Sequence, residues 1–139
     1  MDNSVLIKNV LTNYRNVAVV GISNKEDRDS YKVGKYLDEN GFHVIPVNPM
    51  LEQWNGKKCY PDLKAASEEN SIEVVDIFRK SEAVLPIVEE ALKIKPEVIW
   101  MQLGVENEEA ATLAGKNSIK VIMNKCIMEE HKKLKVGVA

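Results

Sequence analysis

Hydrophobic positions change their spacing repeatedly along this chain, and each change marks an element. Ile7, Val10, Leu11 and Tyr14 recur at three- and four-residue intervals, which predicts an amphipathic helix over residues 3–14. The period then collapses. "NVAVVGI", residues 16–22, is a β-branched run of the kind buried on both faces in a parallel sheet, and it reads as strand one. After a polar loop over 23–30, Val33, Tyr36 and Leu37 mark a second helix that stops at Asn40-Gly41, where glycine can take the left-handed cap. "FHVIPV" follows at once as strand two. "EVVDIF", residues 73–78, is strand three, and Val84, Ile87, Val88, Ala91 and Leu92 then repeat with helical spacing, with Pro86 in the first turns. "EVIWMQ" at 97–102 is strand four, Glu106 to Lys116 a helix turning Ala110, Leu113 and Ala114 inward, "KVIMN" at 120–124 strand five, and Ile127 to Leu134 a last helix. The stretch 48–62, with Trp54, Gly56 and Pro61, reads as one long irregular loop, and loops of that length are often functional.

Strands alternating with helices in this way imply right-handed crossovers, hence an α/β fold with a doubly wound, five-stranded parallel sheet covered on both faces. No repeat, linker or low-complexity tract interrupts residues 1–139, which are expected to form one domain long enough to bury about two-thirds of its unfolded surface. In such sheets a ligand binds outside the carboxyl ends of the strands, where the winding reverses. The residues that follow each strand are therefore the candidate site.

Composition removes several classes of function. With 19 Lys and Arg against 21 Asp and Glu, and a formal charge of −2, the chain has no basic field to attract nucleic acid. Its longest apolar run, Val17 to Ile22, is far shorter than a membrane span, and Met1-Asp2-Asn3-Ser4 carries no basic leader, so a soluble cytoplasmic protein is expected. Two isolated cysteines, Cys59 and Cys126, make neither a disulfide framework nor a zinc site.

Strand one is followed by Gly21-Ile22-Ser23-Asn24-Lys25, and Ser30-Tyr31-Lys32 opens the next helix. Backbone N–H groups and the helix dipole at such a start favour an anion such as a pyrophosphate, and Lys25, Arg28 and Lys32 add charge. The G-x-G-x-x-G pattern is missing, so the alternative is a solvated loop with Ser30 as a helix N-cap. Strand two ends in Val47-Asn48-Pro49, where a dinucleotide-binding fold commonly places an Asp or Glu that holds a ribose hydroxyl. A carboxylate there would repel a ribose phosphate, so its omission points away from NAD and toward NADP or a 3′-phosphorylated nucleotide such as coenzyme A. The competing reading is a rigid Asn-Pro turn.

Strand three ends in Phe78-Arg79, an aromatic that can face adenine beside a guanidinium that can pair with phosphate. Strand four ends in Gln102-Leu103-Gly104, whose glycine permits close approach, and strand five in Asn124-Lys125-Cys126. Several groups converge on one edge, and none is an evident catalyst. His43 and His131 read as packed or surface imidazoles, Asp76 as a buried acid hydrogen-bonded to nearby backbone, and Cys126 as a small packed thiol that a positive helix end could activate.

The segments "VAVVGIS", "SYKVGKYLDENGFHVIPVNP", "CYPDL", "VVDIFRKSEAV", "VIWMQLGVENEEAATLA" and "VIMNKCIMEEHKKL" together resemble the small single-domain CoA-binding proteins. Theirs is a Rossmann-like domain similar to the CoA-binding domain of the succinyl-CoA synthetase α-subunit, and the likeness runs over residues 5–134. The resemblance implies that Gly21 to Lys25 and Tyr31-Lys32 cradle phosphates, that Val47-Asn48-Pro49 and Phe78-Arg79 flank the nucleotide, and that Gln102-Leu103-Gly104 border the pantetheine arm. Two departures stand out. Met50 replaces a basic residue common after the Asn-Pro, and Asn124-Lys125 replaces an Asp-Arg before the cysteine; Lys57 or Lys58 is available to compensate.

Synthetases built on this domain need a phosphorylated histidine and an ATP-grasping partner, which this sequence does not supply, so a binding module is expected rather than a ligase. The leading reading is a coenzyme A or acyl-CoA carrier, sensor or regulator, free of acidic guards at its crevice. The alternatives are a redox-sensing module for NAD(H) or NADP(H), and thiol protection through a Cys126 mixed disulfide with CoA. A homodimer or docking onto a larger protein is compatible with each.

Overall fold

Segments without a polar face must be buried between two layers, and this chain builds that arrangement around its five long strands. The computed structural model describes residues 3–138. In chain order it contains α1 (Ser4–Asn13), β1 (Asn16–Val20), α2 (Asp29–Glu39), β2 (His43–Val47), β3 (Gln53–Trp54), β4 (Lys57–Lys58), α3 (Leu63–Glu69), β5 (Val74–Ile77), α4 (Val84–Ile94), β6 (Val98–Met101), α5 (Glu108–Lys116), β7 (Lys120–Ile122) and α6 (Ile127–Val138). A 3-10 turn, Ser81–Ala83, leads into α4.

The five-stranded sheet has the order β2-β1-β5-β6-β7 and every pairing in it is parallel. From β1 the chain moves outward to β2, then returns past β1 to build β5, β6 and β7 on the other side. The winding therefore reverses between β1 and β5, and crevices open above such a point. The expected α/β doubly wound sheet is the one observed.

Side-chain alternation divides the core in two. On one face Ala18, Val75, Ile77 and Ile99 pack under α3, α4 and α5 through residues such as Leu63, Val88 and Ala114. On the other, Val17, Val19, Val74 and Trp100 pack under α1, α2 and α6 through Leu11, Leu37 and Ile127. Each fully buried aliphatic side chain contributes about 1.5–3 kcal/mol, so both layers are held by many modest terms.

Two elements lie where the sequence reading has only loop. Residues 53–58 form an antiparallel β3–β4 hairpin turning through Asn55 and Gly56, both at positive φ (50° and 80°). An Asn-Gly pair is the characteristic two-residue hairpin turn, so the signal was present inside the supposed loop. Downstream, Asp62 accepts a hydrogen bond from the Ala65 N–H at 2.8 Å and thereby caps α3. Smaller shifts follow the same chemistry: α5 begins at Glu108, two residues later than expected, because Asn107 caps it through the Ala110 N–H. α6 runs on to Val138.

One core position breaks the apolar rule. Asp76 stands in the middle of β5, in register with Val19 on one side and Trp100 on the other, and is fully buried. Neither carboxyl oxygen has a hydrogen-bond partner among the described residues, contrary to the expected backbone bond, because the flanking strands consume their own polar groups in the sheet. Burial alone pushes its pKa well above the usual carboxylate range, which favours the protonated, neutral acid.

Candidate functional site

A cleft of about 1010 Å³ opens at the carboxyl ends of β1, β5 and β6, between the starts of α2 and α6. Its first wall is the loop after β1. Gly21 adopts φ +86° and donates its N–H to the Val47 carbonyl, while a Cβ at this position would fall 2.3 Å from the Phe78 carbonyl oxygen and 3.0 Å from Arg79 Cδ. Only glycine lets the loop cross the end of β5 that closely. Ile22 then turns into the core, and its carbonyl accepts from Asn48 Nδ2 at 2.7 Å. The next carbonyl, Ser23, accepts from Trp54 Nε1 at 2.9 Å, and the Ser23 N–H donates to Ser30 Oγ at 2.9 Å. Three side chains from separate elements thus fix successive polar groups of one loop. The Trp54 ring reaches it through a notch at Gly34, where a Cβ would lie 2.9 Å from the indole.

The cleft is electrostatically lopsided. Lys25, Arg28 and Lys32 line it on the β1 side and Arg79 and Lys80 where β5 ends, whereas Leu103, Val105, Cys126 and Met128 line it beside β6 and α6. Phe78, half-buried against the α1-α2-α6 core, sits between the two ends. Gln102 closes the wall at 3% exposure, with Oε1 accepting the Ile127 N–H at 3.0 Å.

The structure brings together Gly21, Ser23, Lys25, Lys32, Phe78, Arg79, Gln102, Leu103 and Cys126 from five separate stretches of sequence. Other expected site residues are not among those lining the cleft. Ile22 and Val47 are buried core residues, and Asn24, Pro49 and Gly104 do not line the cleft. Tyr31 packs on Trp54, with ring centroids 5.7 Å apart. Asn48 is used in its turn, where Oδ1 accepts the Met50 N–H at 2.8 Å and Nδ2 donates to the Ile22 carbonyl, the bonding a rigid turn at Val47-Asn48-Pro49 requires. Ser30 is no N-cap; α2 starts one residue earlier, and its hydroxyl is used by Ser23.

Lys57 and Lys58 compensate for nothing in the cleft: Lys57 pairs with Asp38 at 3.1 Å and Lys58 with Glu69 at 2.8 Å. Nor is the crevice free of acids. Asp29, Glu82 and Glu129 line it, two of them in the first turns of α2 and α6, where the helix dipole favours a carboxylate.

Neither histidine approaches the cleft wall. His43 Nε2 lies 3.2 Å from Asn70 Oδ1, and His131 Nδ1 lies 2.8 Å from the Tyr36 hydroxyl in an aromatic nest with Phe42. Burial, then Lys135 and Arg15, lower the His131 pKa. Among the described residues no cluster of His, Cys, Asp and Glu could hold a metal ion, and no helix is long and apolar enough to cross a membrane.

The family model described as a CoA binding domain matches residues 15–132, which spans all five sheet strands and the whole cleft. This chain belongs to the CoA-binding domain family. The chain is 37% identical over 125 residues to the uncharacterized protein YneT of Bacillus subtilis (strain 168), covering 90% of this chain and 91% of that one. A hypothetical protein from Pyrococcus horikoshii OT3 is 39% identical with a TM-score of 0.90, over 95% of this chain and 92% of its own. The dinucleotide forming acetyl-coenzyme A synthetase 1 of Ca. Korarchaeum cryptofilum shares the fold at 23% identity and a TM-score of 0.71, over 82% of this chain and 26% of that one. The CoA-binding domain fold thus occurs both at this length and as part of a much longer chain.

Proposed function

We propose that this chain binds coenzyme A or an acyl-CoA and acts as a carrier, sensor or regulator. The observation that carries the reading is the polarity gradient of the cleft. Lys25, Arg28, Lys32 and Arg79 stand at the end where the winding reverses, outnumbering Asp29 there, while Leu103, Val105 and Met128 stand at the β6 and α6 end beside Glu129. Coenzyme A has the matching gradient, a nucleotide head bearing three phosphates and a neutral pantetheine arm. Cationic side chains form charge-assisted hydrogen bonds with phosphate oxygens, whereas a neutral arm gains more from apolar walls. A nicotinamide dinucleotide has its phosphates nearer its middle and a polar ring at its far end, a poorer match to this gradient.

Titration calorimetry with CoA and with dephospho-CoA tests the reading. Loss of the 3′-phosphate should weaken binding by about tenfold or more, the worth of a charge-assisted hydrogen bond. Equal affinities, or tighter binding of NADP(H) than of CoA, would count against it.

Cys126 at the apolar end favours a second use of the same site. With hydrogen peroxide as oxidant, the Cys126 and CoA thiols would lose two hydrogens to form a mixed disulfide while the peroxide is reduced to two waters. Intact-mass measurement should then show one CoA adduct that Cys126→Ser abolishes.

A further inference from the structure

α4 and α5 lie side by side on one layer of the sheet, and a groove of about 480 Å³ runs between their outer faces. It shares no lining residue with the cleft. Its floor is Leu85 and Leu113, each half-buried against the core beneath. Glu89, Glu108 and Glu109 stand exposed around that floor, and Lys116 is the one cation that lines it. None of the three carboxylates has an ion pair or hydrogen bond among the described residues. The helix dipole accounts for Glu108 and Glu109, in the first turn of α5, but not for Glu89 in the middle of α4. An apolar floor ringed by unpaired charge of one sign fits a helix that presents an apolar side chain among cations.

The chain carries such a helix on its opposite layer. Beyond Glu130, α6 has Lys132, Lys133 and Lys135 and no acid. Val136 is 77% exposed, and Lys132 and Lys133 stand one turn before it on the same face. Lys132 pairs with Glu129 at 3.6 Å and Lys133 with Glu130 at 3.1 Å, but surface pairs of this kind are weak and their ammonium groups exchange partners readily. We infer that the α4–α5 groove is an interface for a second copy of this chain, which seats Val136 of its α6 on Leu85 and Leu113 and places Lys132 and Lys133 among Glu89, Glu108 and Glu109. Groove and helix are different surfaces on opposite layers, so the contact is heterologous. A copy whose groove is filled still offers its own α6, and assembly runs on past a dimer. The groove is small and its rim charged, which makes the contact weak and salt-sensitive.

Sedimentation equilibrium tests the contact. In about 20 mM salt the weight-average mass should climb past that of a dimer as the protein approaches about 0.5 mM, and it should return to that of a monomer in about 0.5 M salt. Two charge reversals identify the surfaces: Glu89→Lys with Glu109→Lys in the groove, and Lys132→Glu with Lys133→Glu on α6. Each double variant should associate at least about tenfold more weakly than wild type, because its groove and its α6 then carry the same sign. The quadruple variant exchanges the signs of both surfaces at unchanged net charge and should recover association to within about threefold of wild type. A wild-type protein that stays monomeric in low salt overturns the inference and leaves the groove to a basic helix of another protein. A mass that stops at a dimer, double variants that associate like wild type, or a folded quadruple variant that does not recover, overturns it as well.

If a variant does not fold, NMR of the wild-type protein decides. The methyl resonances of Leu85, Leu113 and Val136 should move together as concentration rises in low salt and stay in place in high salt. Resonances that stay in place while the mass rises put the interface elsewhere and overturn the assignment.

Discussion

Asp76 makes stability depend on pH in an unusual direction. Its carboxyl is fully buried between Val19 and Trp100, without a hydrogen bond, so the native state retains the proton long after the unfolded chain has released it. The folded-state pKa lies above the unfolded value, the native protein binds more protons, and stability must fall as pH rises. The contribution is complete below about pH 4, where both states are protonated, and is then lost at about 1.4 kcal/mol per pH unit until the native pKa is reached.

Asp76→Asn keeps the shape and leaves two polar atoms equally unpaired, but it cannot ionise. As pH rises above about 4 the wild-type protein should therefore lose stability relative to the variant, by up to about 1.4 kcal/mol per pH unit until the native pKa is reached. All other titrating groups are shared, so they cancel in the comparison. Urea denaturation followed by fluorescence, with Trp100 as a neighbouring reporter, gives both stabilities at each pH. The midpoint temperature should diverge in parallel, by about 4 °C for each kcal/mol. Stability curves that run parallel across this range would refute the buried neutral acid.

Two further substitutions probe how the loop after β1 is held. Gly21→Ala places a Cβ 2.3 Å from the Phe78 carbonyl at a φ of +86°, and should cost about 3 kcal/mol or more in chemical denaturation, since backbone oxygen in a strand end cannot yield cheaply. Trp54→Phe removes the indole N–H that holds the Ser23 carbonyl and leaves a gap beside Gly34. A destabilisation of about 2–3 kcal/mol is expected by the same measurement, and an unchanged midpoint would mean that the loop is held without it.

The sequence by itself determined the layered α/β architecture, because runs such as Val17 to Val20 and Val98 to Met101 have no polar side and can lie only inside a parallel sheet. It also located the rim that forms the cleft, since strand ends in such a sheet all point one way, and so Gly21, Phe78, Arg79 and Gln102 were identifiable from periodicity alone. Asn55-Gly56 and Asp62 carried legible turn and cap signals for the β3–β4 hairpin and α3, hidden by reading 48–62 as one loop. What only the tertiary structure decided is which polar groups are already spent. Asn48 and Trp54 are consumed in holding the loop, and Lys57 and Lys58 in ion pairs; among the described residues the Asp76 oxygens have no partner, and the Gln102 amide is bonded at its oxygen end only. A one-dimensional pattern records that a residue can bond, whereas the partner that satisfies it comes from segments far away in the chain, brought near only when the two layers close on the sheet.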